Sequence, residues 1–515
     1  MANVVTWDGS SSTDWNTPAN WDTGAIPTSS DDVIIPDTSS IHNCELSATG
    51  GNPKNVHSLK LETDGTLIGN DIEIRVYGEG DGTGGTTNGY AVDLDGIVTG
   101  DLNLRIQTDD TTNLDIIPSS GNVKNLTIAL GDAARIAKIQ TGGPTLTGSL
   151  TLTSGQLSTE NNALTVIGQI SIASGATLNC GSSTITNGSA SSPASDFDPA
   201  GNLTLGSCTF KFYCGSSGNV YLSDATLASN TSTLELIGIQ TFSGRDMGLS
   251  ASSGNLHNLT VTKTGSVTSG FRLSHNTTLG GNLTIETGAT LDTNTSNKSL
   301  TVAGNTKVTG TLTGNDSTLI FGTDGVHSTV EAGGLWVEAA GSLTFGSGDL
   351  TAFSGFTAKG TNTVTSTGGG DILIKGRTNN GFMNSHGHTG VNITGDYIID
   401  FDNNGLHDVR GNMAITAANI NYPHGGRTYK FWTTATDSTV TFTGNLNVSN
   451  GTAILNTQES GQEATDVFTV TGDATLTGDL IANDTTINLG SLTIGSNGEY
   501  SATSGTTTIT DVYSS

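Results

Sequence analysis

Residues 168–179, GQISIASGATLN, and residues 281–292, GNLTIETGATLD, repeat one pattern across the whole quoted stretch. An alternating segment, Ile170-x-Ile172 or Leu283-x-Ile285, runs into a glycine, Gly175 or Gly288, and then into a second segment, Ala-Thr-Leu. Alternation with period two places the first and third side chains on one face of a strand, and glycine supplies the positive φ of a tight turn. The likeness extends outward from both copies. LTLTSGQLSTENNALTVIG (150–168) resembles LTIETGATLDTNTSNKSLTVAG (283–304), and NVHSLKL (55–61), NVKNLTI (122–128) and NLHNLTV (255–261) form a second module. Triplets of the Leu-Thr-Val or Phe-Thr-Val kind begin at 126, 150, 164, 203, 259, 283, 300, 468 and 492. Three of the spacings are 24 residues: 126 to 150, 259 to 283, and 468 to 492.

Short strands and glycine corners at such a period predict an all-β fold, a single-stranded parallel β-helix or β-solenoid. One coil buries too few apolar groups to stand alone, whereas stacked coils share a core. Asn and Thr at equivalent corners are then placed to form hydrogen-bonded ladders between coils. A sandwich of separate domains needs larger apolar strands than 5% aromatic residues supply. Coils of about 20–25 residues divide the chain into roughly twenty. The expected organisation is a cap over residues 1–36, solenoid over 37–365, a less regular region with loops over 366–435, and further coils over 436–515. Residues 78–90 and 187–200, rich in Gly, Ser, Asp and Pro, read as lateral loops.

The 515 residues include 70 glycines, and 19 basic against 47 acidic side chains give a net charge of −28. A nucleic-acid partner is disfavoured, because no basic stripe exists to displace phosphate counterions. No apolar run reaches membrane-spanning length, so membrane insertion is not expected. Residues 1–6 show no secretory leader, yet the Thr/Ser/Asn/Gly-rich composition is that of an extracellular surface. Release in a virus particle reconciles the two. Four cysteines (Cys44, Cys180, Cys208 and Cys214) are too few for a disulfide framework and read as buried free thiols.

Residues 7–36, WDGSSSTDWNTPANWDTGAIPTSSDDVIIP, hold three of the five tryptophans. Terminal coils expose core and unpaired edges. Trp7, Trp15 and Trp21, stiffened by Pro18, Pro27 and Pro36, are therefore expected to plug the open coil just ahead of a first strand, Val33-Ile34-Ile35. A sugar-stacking platform is the competing role. This opening resembles the start of β-helical surface and structural proteins of tailed bacteriophages and bacteria, in which a Trp/Asn/Pro segment precedes Asn-Leu-Thr-Val coils. The resemblance implies an externally displayed scaffold and transfers no catalytic residue.

Two metal-binding patterns stand out. In DFDNNGLHD (400–408), Asp400, Asp402, Asn404 and Asp408 match positions 1, 3, 5 and 9 of a calcium loop, although Gly411 stands where the bidentate glutamate belongs. An Asp/Asn turn is the alternative. His386 and His388 form a His-x-His pair able to ligate a transition metal, as in some trimeric phage fibres, or are loop histidines. Carboxylate pairs such as Asp93/Asp95, Asp109/Asp110 and Glu331/Glu338 are of the number chance provides among 47 acids. The expected function is a non-enzymatic structural protein of a phage virion: a tail fibre, a spike or an outer capsid decoration. It is placed on the external surface among other virion proteins, aiding attachment to host-surface glycans. A polysaccharide-degrading tailspike and a bacterial cell-surface adhesin or filament subunit are the alternatives. A homotrimer is expected to touch through Phe382, Tyr397, Phe401, Tyr422, Phe431 and Trp432, beside the histidines.

Overall fold

The computed structural model describes residues 2–511 except 83–84, 86–87, 217, 229–230, 252–253, 324–333, 354, 377–383, 387–388, 402–405, 411, 424–427, 433–438, 450–453, 457–466, 483–484 and 503–504. For residues 376, 384–386, 401, 406–410, 428, 430–432 and 454–456 it describes the backbone alone. The fold is a parallel β-solenoid of about 18 turns. Its one helical element among the described residues is a single 3-10 turn, Pro18–Asn20.

Two compact units divide the chain: residues 1–241 with 248–257, and residues 242–247 with 258–515. In the first, a ten-stranded ladder begins Asn3–Thr6, Asp31–Ile35, Ser58–Leu61, Tyr90–Leu94, Thr112–Asp115 and ends at Thr226–Ala228. A six-stranded ladder runs from Lys54–Val56 to Ile170–Ile172. Its register stacks Ile74, Leu104, Leu126, Leu150 and Ile170 into one buried column. Val76, Ile106, Ile128, Leu152 and Ile172 form the next. Each Leu-Thr-Ile triplet thus contributes two fully buried aliphatics, each worth about 1.5–3 kcal/mol relative to exposure, and turns its threonine outward.

The second unit repeats the scheme. Leu259, Leu283, Thr306, Leu335 and Phe356 stack inward, while Thr260, Thr284, Lys307, Trp336 and Thr357 occupy the alternate positions. The triplets' asparagines connect coils: Asn258 Oδ1 accepts the Asn282 N–H at 2.8 Å, and Asn282 Oδ1 accepts the Asn305 N–H at 2.8 Å. The Asn-Leu-Thr sequence is therefore coil grammar: amide to the ladder, leucine to the core, threonine outward. Further along, Asn445 Nδ2 donates to Asn419 Oδ1 and Asn419 Nδ2 to Asp396 Oδ1, beside a second file from Asn447 through Asn421 to Asp396 Oδ2.

The quoted twin motifs adopt equivalent turns. The Ala176 N–H bonds the Ala173 carbonyl and the Ala289 N–H bonds the Glu286 carbonyl, both at 3.0 Å. Gly175 and Gly288 stand at φ +84° and +76°, as the third residue of a type II turn requires. All four cysteines are free and buried. A hydrogen bond with Cys208, together with burial, pushes the Cys180 thiol well above its usual pKa, so thiolate chemistry there is suppressed.

Two sequence readings meet a different structure. The first strand is Asn3–Thr6, ahead of the tryptophans, so the indoles lie within a coil rather than in front of one. The 24-residue step from 468 to 492 is not a coil. Phe468 pairs with Ile487, and Leu492 with Ala474. Strands Val467–Leu476 and Thr486–Ile494 are long enough to carry two triplets each, and like triplets fall at different ladder positions. Between strands Thr184–Asn187 and Asn202–Thr204 runs a loop that packs back on the coils: the Ala194 N–H bonds the Tyr213 carbonyl, and Phe197 is buried, stacking on Phe210 at 5.0 Å. Within 366–435, ladder strands continue as Ile372–Gly376, Tyr397–Phe401 and the ten-residue Met413–Tyr422. Tyr90 opens the ladder strand Tyr90–Leu94, and the stretch before it is pinched by Gly80 N–H to Tyr90 O and Gly89 N–H to Gly80 O.

Candidate functional site

The tryptophan segment is built from its asparagine outward. Asn20 is fully buried; its Oδ1 accepts the N–H groups of Ser11 and Ser12, and its Nδ2 donates to Ser12 Oγ and the Asp14 carbonyl. That fold-back carries Trp7, Trp15 and Trp21 into the coil interior, at 0%, 1% and 2% exposure. Trp21 stands edge-on to both neighbours, with ring centroids 5.0 Å from Trp7 and 4.8 Å from Trp15. Trp21 Nε1 donates to the Trp15 carbonyl and Trp7 Nε1 to the His42 carbonyl. Pro27 is buried too. Lys54, 4% exposed, donates to Asn16 Oδ1 and to the Thr49 carbonyl, tying the next coil on. Burial raises the pKa of Asp14, but hydrogen bonds from Asn16 and Ser47, with Lys54 nearby, bring it below its ordinary value. The indole faces are used inside the coil, which leaves none for a stacked sugar.

Asp400 lies in strand Tyr397–Phe401, opposite Lys375, and Asp408 in strand Leu406–Arg410, opposite Asn384 and Lys430. The two ends of the calcium-loop pattern therefore belong to different ladders, joined by residues 402–405; Asp402 and Asn404 lie outside the described residues. His386 ends strand Asn384–His386, and His388 is outside the described residues. Tyr397 and Tyr422 are fully buried, Tyr422 packing edge-on to Tyr429 at 4.8 Å. These two rings offer no surface to a second chain.

Coil stacking assembles a carboxylate group that spacing only half reveals. Asp93 pairs in register with Asp115 and with Lys60. Carboxylate oxygens of Asp93, Asp95 and Asp115 lie within 4.8 Å of one another. Burial first, then Asp95 and Asp115, push the Asp93 pKa up, and Lys60 opposes them. Asp115 was not legible as a partner, because the coil length joining it to Asp93 is a property of the ladder. Stacking also brings Asp32, His57 and Ser58 together, but His57 Nδ1 and Ser58 Oγ both meet Asp32 Oδ1, at 2.8 and 2.6 Å. The hydroxyl faces the carboxylate rather than the imidazole, so no nucleophilic relay is wired.

The remaining site is a groove of about 280 Å³ over three coils, lined by Asn282, Thr284, Asn305, Lys307, Trp336 and Glu338. Trp336 takes an outward position in Leu335–Val337, where neighbouring coils carry Lys307 and Thr357. Lys359, from the following coil, places its ammonium 4.2 Å from the ring centroid. The indole Nε1 is buried and has no acceptor among the described residues.

Set beside protein-family models, curated proteins and solved structures, the chain matched none.

Proposed function

We propose that the chain is a non-enzymatic structural protein of a bacteriophage virion, displayed on the particle's outer surface as a fibre, spike or capsid decoration. The observation that carries the scaffold reading is the stacking itself: backbone pairing, buried aliphatic columns and amide files join coil to coil. The phage setting rests on the resemblance of residues 7–36. Other virion proteins, and host-surface glycans during attachment, are the partners this reading names, with homotrimeric assembly. Mass spectrometry of purified particles tests it: the intact chain is expected among virion proteins, and its absence from particles overturns the reading. The Asp93–Asp95–Asp115 group favours one second reading, a polysaccharide-cleaving spike, since carboxyl pairs about 5 Å apart suit retaining glycosidases. Release of reducing sugar from host capsule, lost in Asp93→Asn, would select it.

A further inference from the structure

We infer that the groove beside Trp336 binds a pyranose unit of a saccharide. The inference adds a binding site to the scaffold and stands whether or not the chain is carried on a particle. Trp336 is an indole placed on the outer face of a sheet whose neighbouring coils use Thr284, Lys307 and Thr357 at the same position. A large ring gains little there by packing, and it forms one wall of a concavity instead.

Two features choose the ligand class. The ring offers a flat apolar face, which suits the C–H face of a pyranose. Around it stand hydrogen-bonding groups of both kinds: the Glu338 carboxylate accepts, the Lys307 ammonium donates, and the Asn282 and Asn305 amides do both. Asn282 Oδ1 is already engaged by the Asn305 N–H, so the Asn282 Nδ2 hydrogens and the Asn305 amide remain for a ligand. The Trp336 N–H is itself buried, so recognition rests on the ring face and the polar groups around it. Hydroxyl-rich, flat-faced and neutral describes a sugar; a phosphate-bearing ligand is disfavoured by the carboxylate in the groove and the net charge of −28.

Geometry also shows preorganisation. The groove spreads over the two coils preceding Trp336, whereas Lys359 reaches the ring from the coil that follows. A cation set against the ring holds its orientation, so the ligand meets a wall already in place. At about 280 Å³ the groove is close to the lower end, ~300 Å³, of small-molecule sites, which fits one or two sugar rings.

Isothermal titration calorimetry of the full chain with cellotriose, galactotriose and chitotriose tests the inference. At least one trimer is expected to bind, and Trp336→Ala to weaken it about tenfold or more with the melting temperature nearly unchanged. Glu338→Gln and Asn305→Ala, both at surface positions, are expected to weaken it several-fold. Should Trp336→Ala fail to fold, those two variants decide. No heat with any trimer at millimolar concentration overturns the inference, as does binding undiminished by the variants. Detection in virions is a separate measurement, so failure here leaves the scaffold reading standing, and the reverse holds.

Discussion

Trp21 touches both other indoles of the first coil and bonds the Trp15 carbonyl, so its removal opens a cavity and leaves a carbonyl unmet. Trp21→Ala is expected to cost about 3–5 kcal/mol, read as a shift in the denaturant midpoint of that coil's unfolding. Asn20→Ala strips hydrogen bonds from the Ser11 and Ser12 N–H groups and the Asp14 carbonyl, and should cost about 3 kcal/mol with all three rings retained. A loss below ~1 kcal/mol would show that water replaces the amide. Asp93 carries a pH signature. Its folded pKa lies above the unfolded one because burial and two like charges disfavour its ionised form. The folded state therefore binds the extra proton, and stability falls as pH rises through the carboxylate range toward the folded pKa. Asp93→Asn should raise the melting temperature at neutral pH, with the gain shrinking as pH falls through the raised folded pKa and gone once pH is below the ordinary carboxylate value. A gain independent of pH would remove the charge explanation.

At the scale of turns and strands, glycines are constrained in two separable ways. Gly175 sits at positive φ with open space where a Cβ would project, so Gly175→Ala meets backbone strain alone, about 1–2 kcal/mol. Gly206, also at positive φ, would drive its Cβ to 2.3 Å from the Gly181 carbonyl oxygen in the stacked coil. Gly206→Ala should therefore cost clearly more than Gly175→Ala in parallel urea titrations; equal costs would mean that the coils part easily. The Leu-Thr-Val triplet shows how far such elements are legible. Inward and outward positions follow from alternation alone, as Leu164 and Val166, both fully buried, illustrate. Ladder partners do not follow, because Phe468 and Leu492 look like one repeat and pair elsewhere.

For the whole molecule, the outermost strand of the ten-stranded ladder is Asn3–Thr6, paired to Asp31–Ile35. Deleting residues 2–30 removes that strand together with the indole trio and bares the edge of Asp31–Ile35. Unpaired edges template association, so light scattering should show the truncated protein growing in size with concentration while the full chain stays monodisperse. A truncated protein as monodisperse as the full chain would deny the first coil its protective role. Mass photometry tests the proposed homotrimer: a single-chain mass under all conditions rejects it. With Tyr397 and Tyr422 inside the coil, their substitution should disturb melting rather than assembly.

By itself the sequence determined the parallel solenoid, the inward faces of its triplets, the glycine corners and the gathering of indoles in one early segment. These are properties of neighbours along the chain, set by side-chain alternation and backbone sterics. Only the tertiary structure decided which coil lies on which, since loops of unequal length stand between equivalent strands and register is fixed by stacking. That choice placed the tryptophans within a coil, set Asp115 against Asp93, and built a groove from Asn282, Lys307 and Trp336. Such groups meet because hydrogen-bonded strands bring together residues from successive coils, a proximity that no local pattern encodes.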